Sequence, residues 1–265
     1  MDRIAQYNQA RWKALAKSDA LFTRPELDLT DESAKELVNS DERFGNVSEK
    51  RVLCLAGGGG QQSAAFALLG ANVTVFDISE EQLERDQAAA GHYDLEIKTV
   101  RGDMRDLSAF ENDSFDIVHH PYALNFVPDL LDVVTEVSRV LKVGGSYQVN
   151  FANPFLMGVR QDDWNGEGYV IKEPYLKNAE ITYADQDWVY KGADREKIPQ
   201  PIEYRHILSD LINGLIESGF VIKKLSDNES ISPDLTSEPG TWDHFVAFAP
   251  PWLSVLGVYR PDLKF

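Results

Sequence analysis

The chain has 265 residues, 43% hydrophobic and 11% aromatic, which is enough for one large domain with a sizeable core. A formal net charge of −17 disfavours binding to phosphate backbones and anionic lipid heads, so we expect neither nucleic acid nor a membrane as a partner. The single cysteine excludes an intrachain disulfide framework. The N-terminal residues are charged and resemble no signal peptide, and no apolar run is long enough to span a membrane. We therefore expect a cytoplasmic protein.

Residues 1–50 predict two helices, at 4–17 and 31–39, and we interpret this region as an N-terminal helical cap. From Arg51, short apolar runs alternate with helical segments. The predicted strands are 52–56, 72–76, 96–101, 115–119 and 147–151, and the predicted helices are 63–69, 79–90 and 129–141. This alternation is typical of a parallel sheet with helices on both faces, so residues 51–151 are predicted to form a cofactor-binding core.

Residues 152–205 interrupt the alternation with two tryptophans, five tyrosines and several prolines. A hairpin is possible between 181–183 and 188–190. We interpret the whole segment as an inserted lid or substrate subdomain over the carboxyl edge of the sheet; the alternative is a surface loop with local aromatic packing. A helix at 206–218 and strands at 220–225 and 244–248 would then end the core sheet within 206–250, leaving 251–265 as a C-terminal tail.

A run of glycines at 57–60 directly follows the first predicted strand, where bare backbone must serve some ligand or turn. A Walker loop is excluded, because Gln61 and Gln62 stand where Lys and Ser/Thr would be needed. The spacing of Gly58, Gly60 and Ser63 is closer to a dinucleotide fingerprint. Asp77 ends the second strand, where an acid accepts hydrogen bonds from ribose hydroxyls in NAD sites and in nucleoside sites alike. These motifs therefore do not decide between a dinucleotide and a nucleoside ligand.

The later motifs add the decisive pattern. The chain has Asp-Ile-Ser at 77–79, Gly-Asp-Met at 102–104, Ser-Phe-Asp-Ile at 114–117 and Arg-Val-Leu-Lys-Val-Gly-Gly at 139–145. In order and spacing this series resembles the class I S-adenosylmethionine-dependent methyltransferases of the small-molecule type, over about residues 50–151. The resemblance implies a doubly wound α/β fold with a mostly parallel, seven-stranded Rossmann-like sheet and an antiparallel last strand.

Two positions depart from the usual first motif of that family. Cys54 stands where the family usually has an acid, and Ala56 stands in place of the first glycine. Gly58 and Gly60 remain in register. The missing acid removes a carboxylate near the ammonium group of the cofactor, so backbone carbonyls of the loop would carry more of that contact.

The resemblance also implies roles for individual residues toward S-adenosylmethionine. Asp77 would accept bonds from both ribose hydroxyls, Ile78 and Met104 would enclose the adenine, and Asp103 would accept from its amino group. The backbone at 56–58 and at Gly60 would approach the methionine and ribose closely. Three further candidates for cofactor contact lie outside these motifs: Tyr7, Trp12 and His120.

On the acceptor side, we expect a small or medium organic molecule that is methylated on oxygen or nitrogen, with S-adenosylhomocysteine as the product. His120 and His206 are the candidate catalytic bases, and the histidine spacing fits no metal motif, so no metal is predicted. Trp164, Tyr175, Tyr183 and Trp188 are the candidate acceptor contacts. We expect at least two of these four rings to share a cavity with Gly58, Asp77 and His120.

Two alternatives remain from the sequence. An NAD-dependent Rossmann oxidoreductase would continue its parallel sheet into a sixth strand, whereas the methyltransferase fold predicts that strand 244–248 is antiparallel. A non-catalytic protein that only senses S-adenosylmethionine would lack an acceptor cavity under residues 152–205. The sequence leaves the identity of the acceptor and the oligomeric state open.

Overall fold

The structure, a computed structural model, describes residues 1–184, 198–227 and 231–263. Helix α1 (Arg3–Lys17) begins at Asp2, whose carboxylate accepts the backbone N–H of Ala5 at 2.9 Å. Helix α2 (Asp31–Asn39) begins at a capping box formed by Thr30 and Ser33. These caps satisfy N–H groups that have no partner within a helix, which fixes where both helices start, as the sequence predicted.

Strands and helices alternate from Arg51 onwards. The strands are β1 (Arg51–Leu55), β2 (Asn72–Asp77), β3 (Ile97–Arg101), β4 (Phe115–His120), β5 (Leu141–Ala152), β6 (Glu180–Thr182), β7 (Ile202–Tyr204), β8 (Phe220–Ser226) and β9 (Trp252–Tyr259). The remaining helices are α3 (Gln62–Leu68), α4 (Glu80–Tyr93), α5 (Leu130–Val140), α6 (Leu208–Glu217) and α7 (Trp242–Phe248).

The main sheet has seven strands in the order β3-β2-β1-β4-β5-β9-β8. Strands β1 to β5 pair in parallel, and β9 lies antiparallel between β5 and β8. This confirms the predicted fold class, with six parallel strands and one antiparallel strand. The strand order reverses between β1 and β4, and in open sheets of this kind ligands bind at the carboxyl ends beside such a reversal.

Hydrophobic side chains cover both faces of the sheet. Along β1, Leu53 and Leu55 face the core that includes α5 and α6, while Val52 and Cys54 face the core formed with α2, α3 and α4. Successive residues of a strand point to opposite faces, and a strand buried on both faces is therefore apolar throughout. Two helical layers thus hold the carboxyl edge of the sheet in a fixed position.

The predicted final strand at 244–248 is wrong. These residues lie in helix α7, and Phe245, Val246 and Ala249 pack together against Leu156 and Val159 of the insertion. That spacing is helical, and the short apolar run does not distinguish a helix from a strand. The true last strand is β9, so the assignment of 251–265 to a tail is also wrong.

Two other boundaries differ from the prediction. Helix α5 ends at Val140, and strand β5 already begins at Leu141 and runs through the glycines that were expected to end the helix. Helix α6 begins at Leu208, which leaves His206 in the connection from β7.

Within the insertion, β6 pairs with β7 as a small antiparallel sheet that places Ile181 opposite Glu203. The predicted partner strand at 188–190 lies outside the described residues. Arg205 is buried, and its guanidinium donates to the carbonyl of Met157 at 2.8 Å, which ties β7 to the start of the insertion. Within residues 1–184, 198–227 and 231–263, no helix combines the length and apolarity needed to cross a bilayer.

Candidate active site

A cavity of about 550 Å³ opens at the carboxyl ends of β1, β2 and β4, beside the reversal in strand order. The glycine loop, the residues after β2 and β3, and helix α1 form its walls. Predicted cofactor residues in this lining are Trp12, Ala56, Gly57, Gly58, Asp77, Ile78, Asp103 and Met104. Four separate segments of the chain therefore line this one cavity.

The carboxylate of Asp77 lies against the glycine loop. Its Oδ2 accepts the backbone N–H of Gly58 at 3.0 Å, and its Oδ1 accepts that of Ser79 at 2.9 Å. A Cβ at Gly58 would stand 2.8 Å from Cβ of Gln82 and 3.0 Å from Oδ2 of Asp77, so only glycine fits here. Burial raises the pKa of Asp77. A carboxylate has about four lone-pair sites, so this one keeps acceptor capacity for ribose hydroxyls.

A second carboxylate, which the sequence analysis missed, holds the same loop from the other side. Asp86 of α4 accepts the N–H groups of Gly59 and Gly60, both at 3.0 Å, and the hydroxyl of Ser63 at 2.5 Å. Gly59 and Gly60 have φ values of +127° and +80°, which favour glycine. Asp86 is fully buried, and this burial raises its pKa to about 7.

A signal for Asp86 was present in the sequence. The buried residues of α4 include Leu83, Asp86, Ala89 and Ala90, which form one helical stripe with an acid in it. An acid on an apolar stripe must find hydrogen-bond donors. The backbone amides of the glycine loop supply these donors. Cys54, which stands at the position of the usual family acid, is buried. Burial, and then the charge of Asp86, raises the pKa of its thiol.

The loop after β3 contributes Asp103 and Met104 to the cavity. The Asp103 carboxylate is held by Arg105, with Nη2 of the arginine 2.6 Å from Oδ2. Arg105 also donates to both carboxylate oxygens of Asp2, at 2.8 and 3.0 Å. This ion pair network links the cofactor cavity to the residue that begins α1, and it leaves the predicted adenine contact of Asp103 as a proposal.

Helix α1 covers the cavity with the face that carries Ala5, Asn8, Arg11 and Trp12. Asn8 donates its amide to the carbonyl of Phe126 at 2.8 Å, which anchors the helix over the loop after β4. The Trp12 ring packs edge-on against Phe126, with centroids 5.7 Å apart. Helix α1 therefore forms one wall of the cavity, and its contact with the cofactor stays a prediction.

Tyr7 and Gly60 do not take their predicted places. Tyr7 points away from the cavity and donates its hydroxyl to the carbonyl of Gln200 at 2.8 Å. Gly60 packs against α4, where a Cβ would stand 2.8 Å from the Arg85 carbonyl. Its role is to let the loop pass close to α4.

A second cavity of about 520 Å³ adjoins the first and lies beneath the insertion. Apolar side chains supply much of its wall, including Leu156, Met157, Val159, Ile181, Trp242 and Phe245. The side chains common to both linings are Tyr122, Asn150, Tyr183, Glu203 and Trp252. We call these five residues the shared wall. A group that passes from one cavity to the other must pass this wall.

The shared wall contains a buried carboxylate between two phenols. Glu203 is only 2% exposed, and it accepts the hydroxyls of Tyr122 at 2.8 Å and Tyr183 at 2.5 Å, one on each carboxylate oxygen. Burial, followed by the charge of Glu203, raises the pKa of Tyr122 well above its usual range. Tyr122 therefore keeps its proton and remains a hydrogen-bond donor to the carboxylate.

Both predicted catalytic histidines lie in the core and outside the linings of the two cavities. His120 is 1% exposed, its Nδ1 lies 3.0 Å from the Tyr147 hydroxyl, and burial lowers its pKa to about 3. His206 is also buried, with its Nε2 3.1 Å from the Leu124 carbonyl, and burial lowers its pKa. A buried neutral imidazole without access to the cavities is a packing residue, so both assignments, including cofactor contact by His120, are corrected.

Of the four predicted acceptor aromatics, Tyr183 lines both cavities. Trp164 packs instead with Tyr169 and His244, and Tyr175 stacks on Phe155 with centroids 4.8 Å apart. Trp188 lies outside the described residues. We expected at least two of the four rings in the cavity of Gly58 and Asp77. Among the three described rings, one lies there, that of Tyr183.

These features define the class of the protein. The Rossmann-like sheet has an antiparallel strand between β5 and β8, as methyltransferase sheets do. The glycine loop after β1 faces the acid that ends β2, and this arrangement fits S-adenosylmethionine. The cavity offers room for it: a Cβ at Gly58 would meet Asp77, and the apolar side chains of Ile78 and Met104 line the adjoining wall. Within the described ranges, no three histidine, cysteine, aspartate or glutamate side chains are grouped to hold a metal ion.

Known proteins confirm this class. The family described as "Methyltransferase domain" matches residues 53–149. The uncharacterized methyltransferase YbaJ of Bacillus subtilis is 40% identical over 181 residues, which are 68% of this chain and 69% of that protein. The chain belongs to the class I S-adenosylmethionine-dependent methyltransferases, and it is an enzyme of that family.

Two further relatives extend the comparison. A demethylmenaquinone methyltransferase from Clavibacter sepedonicus is 37% identical over 116 residues, covering 43% of this chain and 46% of that protein, so the match spans about half of the relative. A solved S-adenosylmethionine-dependent methyltransferase from Mesorhizobium loti has a TM-score of 0.64 and 24% identity, covering 88% of this chain and all of that one. The structural likeness concerns the fold.

Proposed function

We propose that the enzyme transfers the methyl group of S-adenosylmethionine to an oxygen or nitrogen of a small or medium organic acceptor held in the second cavity. The single observation that carries this proposal is the pair of adjoining cavities with one shared wall. In-line transfer requires donor and acceptor to meet at close range, which adjoining sites permit. A protein that only senses the cofactor has no use for the second cavity.

The character of the second cavity supports an apolar acceptor. Its wall is largely aliphatic and aromatic, and the cationic side chain of Arg160 stands at one side. One relative, the Clavibacter enzyme, is named for an organic acceptor, demethylmenaquinone. The net charge of −17 is also unfavourable for a nucleic acid acceptor.

Two measurements test the proposal. Thermal unfolding is followed with S-adenosylmethionine, S-adenosylhomocysteine, NAD and NADP; a ligand at 100 times its dissociation constant stabilises by about 2.7 kcal/mol. Only the first two should raise the melting temperature. Methyl transfer is then followed with a labelled methyl group in a size-fractionated cell extract. Label confined to protein or RNA would contradict a small organic acceptor, and a shift with NAD alone would contradict the donor.

A further inference from the structure

Among the five residues of the shared wall, Glu203 is the one whose side chain ordinarily ionises below neutral pH. Asn150 and Trp252 carry no titratable group, and Tyr122 and Tyr183 donate their hydroxyl hydrogen bonds to the carboxylate. The carboxylate is buried at the boundary through which the methyl group must pass. A carboxylate held by two phenols at that boundary is placed to take up a proton from a group bound there.

Resting on the proposed function, we propose that Glu203 is the general base of the reaction, that Tyr122 and Tyr183 present it to the acceptor, and that the acceptor is a neutral, apolar molecule with a phenolic hydroxyl. Each tyrosine hydroxyl donates a hydrogen bond to Glu203, and its oxygen has lone pairs with which to accept a hydrogen bond from an incoming hydroxyl. A hydroxyl bound there is connected to the carboxylate through one phenol.

The step balances in atoms and charge. The acceptor oxygen forms a bond to the methyl carbon, the carbon–sulfur bond breaks, and its electron pair remains on sulfur. The hydroxyl proton passes to the oxygen of Tyr122 or Tyr183 while that tyrosine passes its own proton to Glu203. The sulfonium becomes a neutral thioether and the carboxylate becomes a neutral acid, so the two opposite charges disappear together.

The surroundings favour a phenol over a charged acceptor. The body of the cavity is apolar, with Met157, Ile181 and Phe245 among its lining side chains, and it solvates a neutral ring. A phenolate would meet the charge of Glu203 and be repelled, whereas a neutral phenol gives up its proton only as the new bond forms. The insertion supplies Glu203 and Tyr183, and the loop after β4 supplies Tyr122, so the relay joins the insertion to the core.

The test compares two phenols of similar shape, para-cresol and para-nitrophenol, as acceptors with S-adenosylmethionine as donor. The nitro group makes the second phenol acidic enough to ionise without help. In Glu203→Gln, transfer to para-cresol should fall about 100-fold or more, as expected for loss of a general base, while transfer to para-nitrophenol falls less than about tenfold. Tyr122→Phe, which keeps the carboxylate, should show a smaller version of the same difference.

A binding measurement that does not depend on turnover accompanies the kinetics. With S-adenosylhomocysteine present, para-nitrophenol is titrated with pH and its ionisation is followed by absorbance. A carboxylate beside the bound hydroxyl should raise the ionisation midpoint, and Glu203→Gln should lower it by about one unit or more. Glu180→Gln is the matched control, because Glu180 also contacts a tyrosine, Tyr204 at 3.4 Å, but is exposed and lies outside both linings.

The outcomes separate the two proposals. If wild type binds S-adenosylhomocysteine but methylates neither phenol, or if Glu203→Gln slows both phenols equally without moving the midpoint, the base assignment is overturned and donor binding stands. If wild type binds no S-adenosylhomocysteine, the proposed function itself fails. Selective loss with para-cresol, a lowered midpoint and an unchanged Glu180→Gln enzyme support the inference, provided that each variant keeps the melting temperature needed to show a folded protein.

Discussion

Asp77 and Gly58 lie so close that the carboxylate of one accepts the backbone N–H of the other at 3.0 Å, although they belong to different βα connections. This contact aligns the acid that ends β2 with the bare backbone that follows β1. A ligand bound between them meets a carboxylate and unobstructed peptide at once.

Asp77→Ala should weaken binding of S-adenosylmethionine by about 2–4 kcal/mol, because two charge-assisted hydrogen bonds to ribose hydroxyls are lost. The measurement is isothermal titration calorimetry. Asp106→Ala is the control, since Asp106 lies outside the cavity lining and bonds only its local turn through the N–H of Ser108. An affinity that is unaltered in the Asp77 variant would remove the ribose role.

Gly58→Ala should lower both stability and cofactor affinity, because the new Cβ would stand 2.8 Å from Cβ of Gln82. Such overpacking typically costs about 1–3 kcal/mol. Gly91→Ala is the matched control: it lies within α4, nothing stands within 4 Å of the place that its new methyl group would take, and alanine is the better helix former. Urea unfolding should therefore show a loss for the first variant and no loss for the second. Equal behaviour of the two would contradict the tight contact.

Asp86 predicts a pH dependence with a definite sign. Its pKa rises from 3.8 to about 7 in the folded protein, so ionisation is disfavoured there. The stability contributed by this group is fully present below its unfolded pKa and is lost as the pH rises through about 7. Each pKa unit corresponds to about 1.4 kcal/mol, so the loss amounts to a few kcal/mol.

The variant that isolates this group is Asp86→Asn, whose amide does not titrate. Free energies of unfolding in urea are compared at about pH 5 and about pH 8, and the variant should be more destabilised relative to wild type at the lower pH. All other groups titrate in both proteins and cancel in the comparison. Parallel stability profiles would show that Asp86 is ionised throughout and carries no raised pKa.

Trp12→Ala should weaken cofactor binding by removing part of the cover that α1 lays over the cavity. It should also destabilise the fold by up to about 3–5 kcal/mol, because the ring packs between Phe22 and Phe126. Trp12→Phe keeps an apolar ring and should recover most of the stability. Calorimetry with S-adenosylhomocysteine on the folded variants separates the two effects, and an unchanged affinity in Trp12→Ala would exclude a cover role.

The sequence was informative where local chemistry decides the structure. The glycines at 57–58, Asp77 and the pair Asp103-Met104 belong to local motifs, and each lines the cavity at the carboxyl edge of the sheet. The last strand was misplaced because five apolar-rich residues, at 244–248, suit a helix or a strand equally, and packing against the insertion selects the helix. The sequence did not single out Glu203, because its place in the site depends on a contact with Tyr122, which is 81 residues away in sequence.

The place of β9 has a consequence for how the molecule assembles during synthesis. β9 is made after β5 and β8 and yet must enter between them, pairing with a strand more than a hundred residues earlier. Trp252, its first residue, also lines both cavities. Before β9 has been synthesised, β5 and β8 lack the strand that pairs with both of them, and the site lacks one wall. The two cavities are therefore complete only once β9 has entered the sheet, and until then the open edges of β5 and β8 are the part of the chain most exposed to wrong pairing.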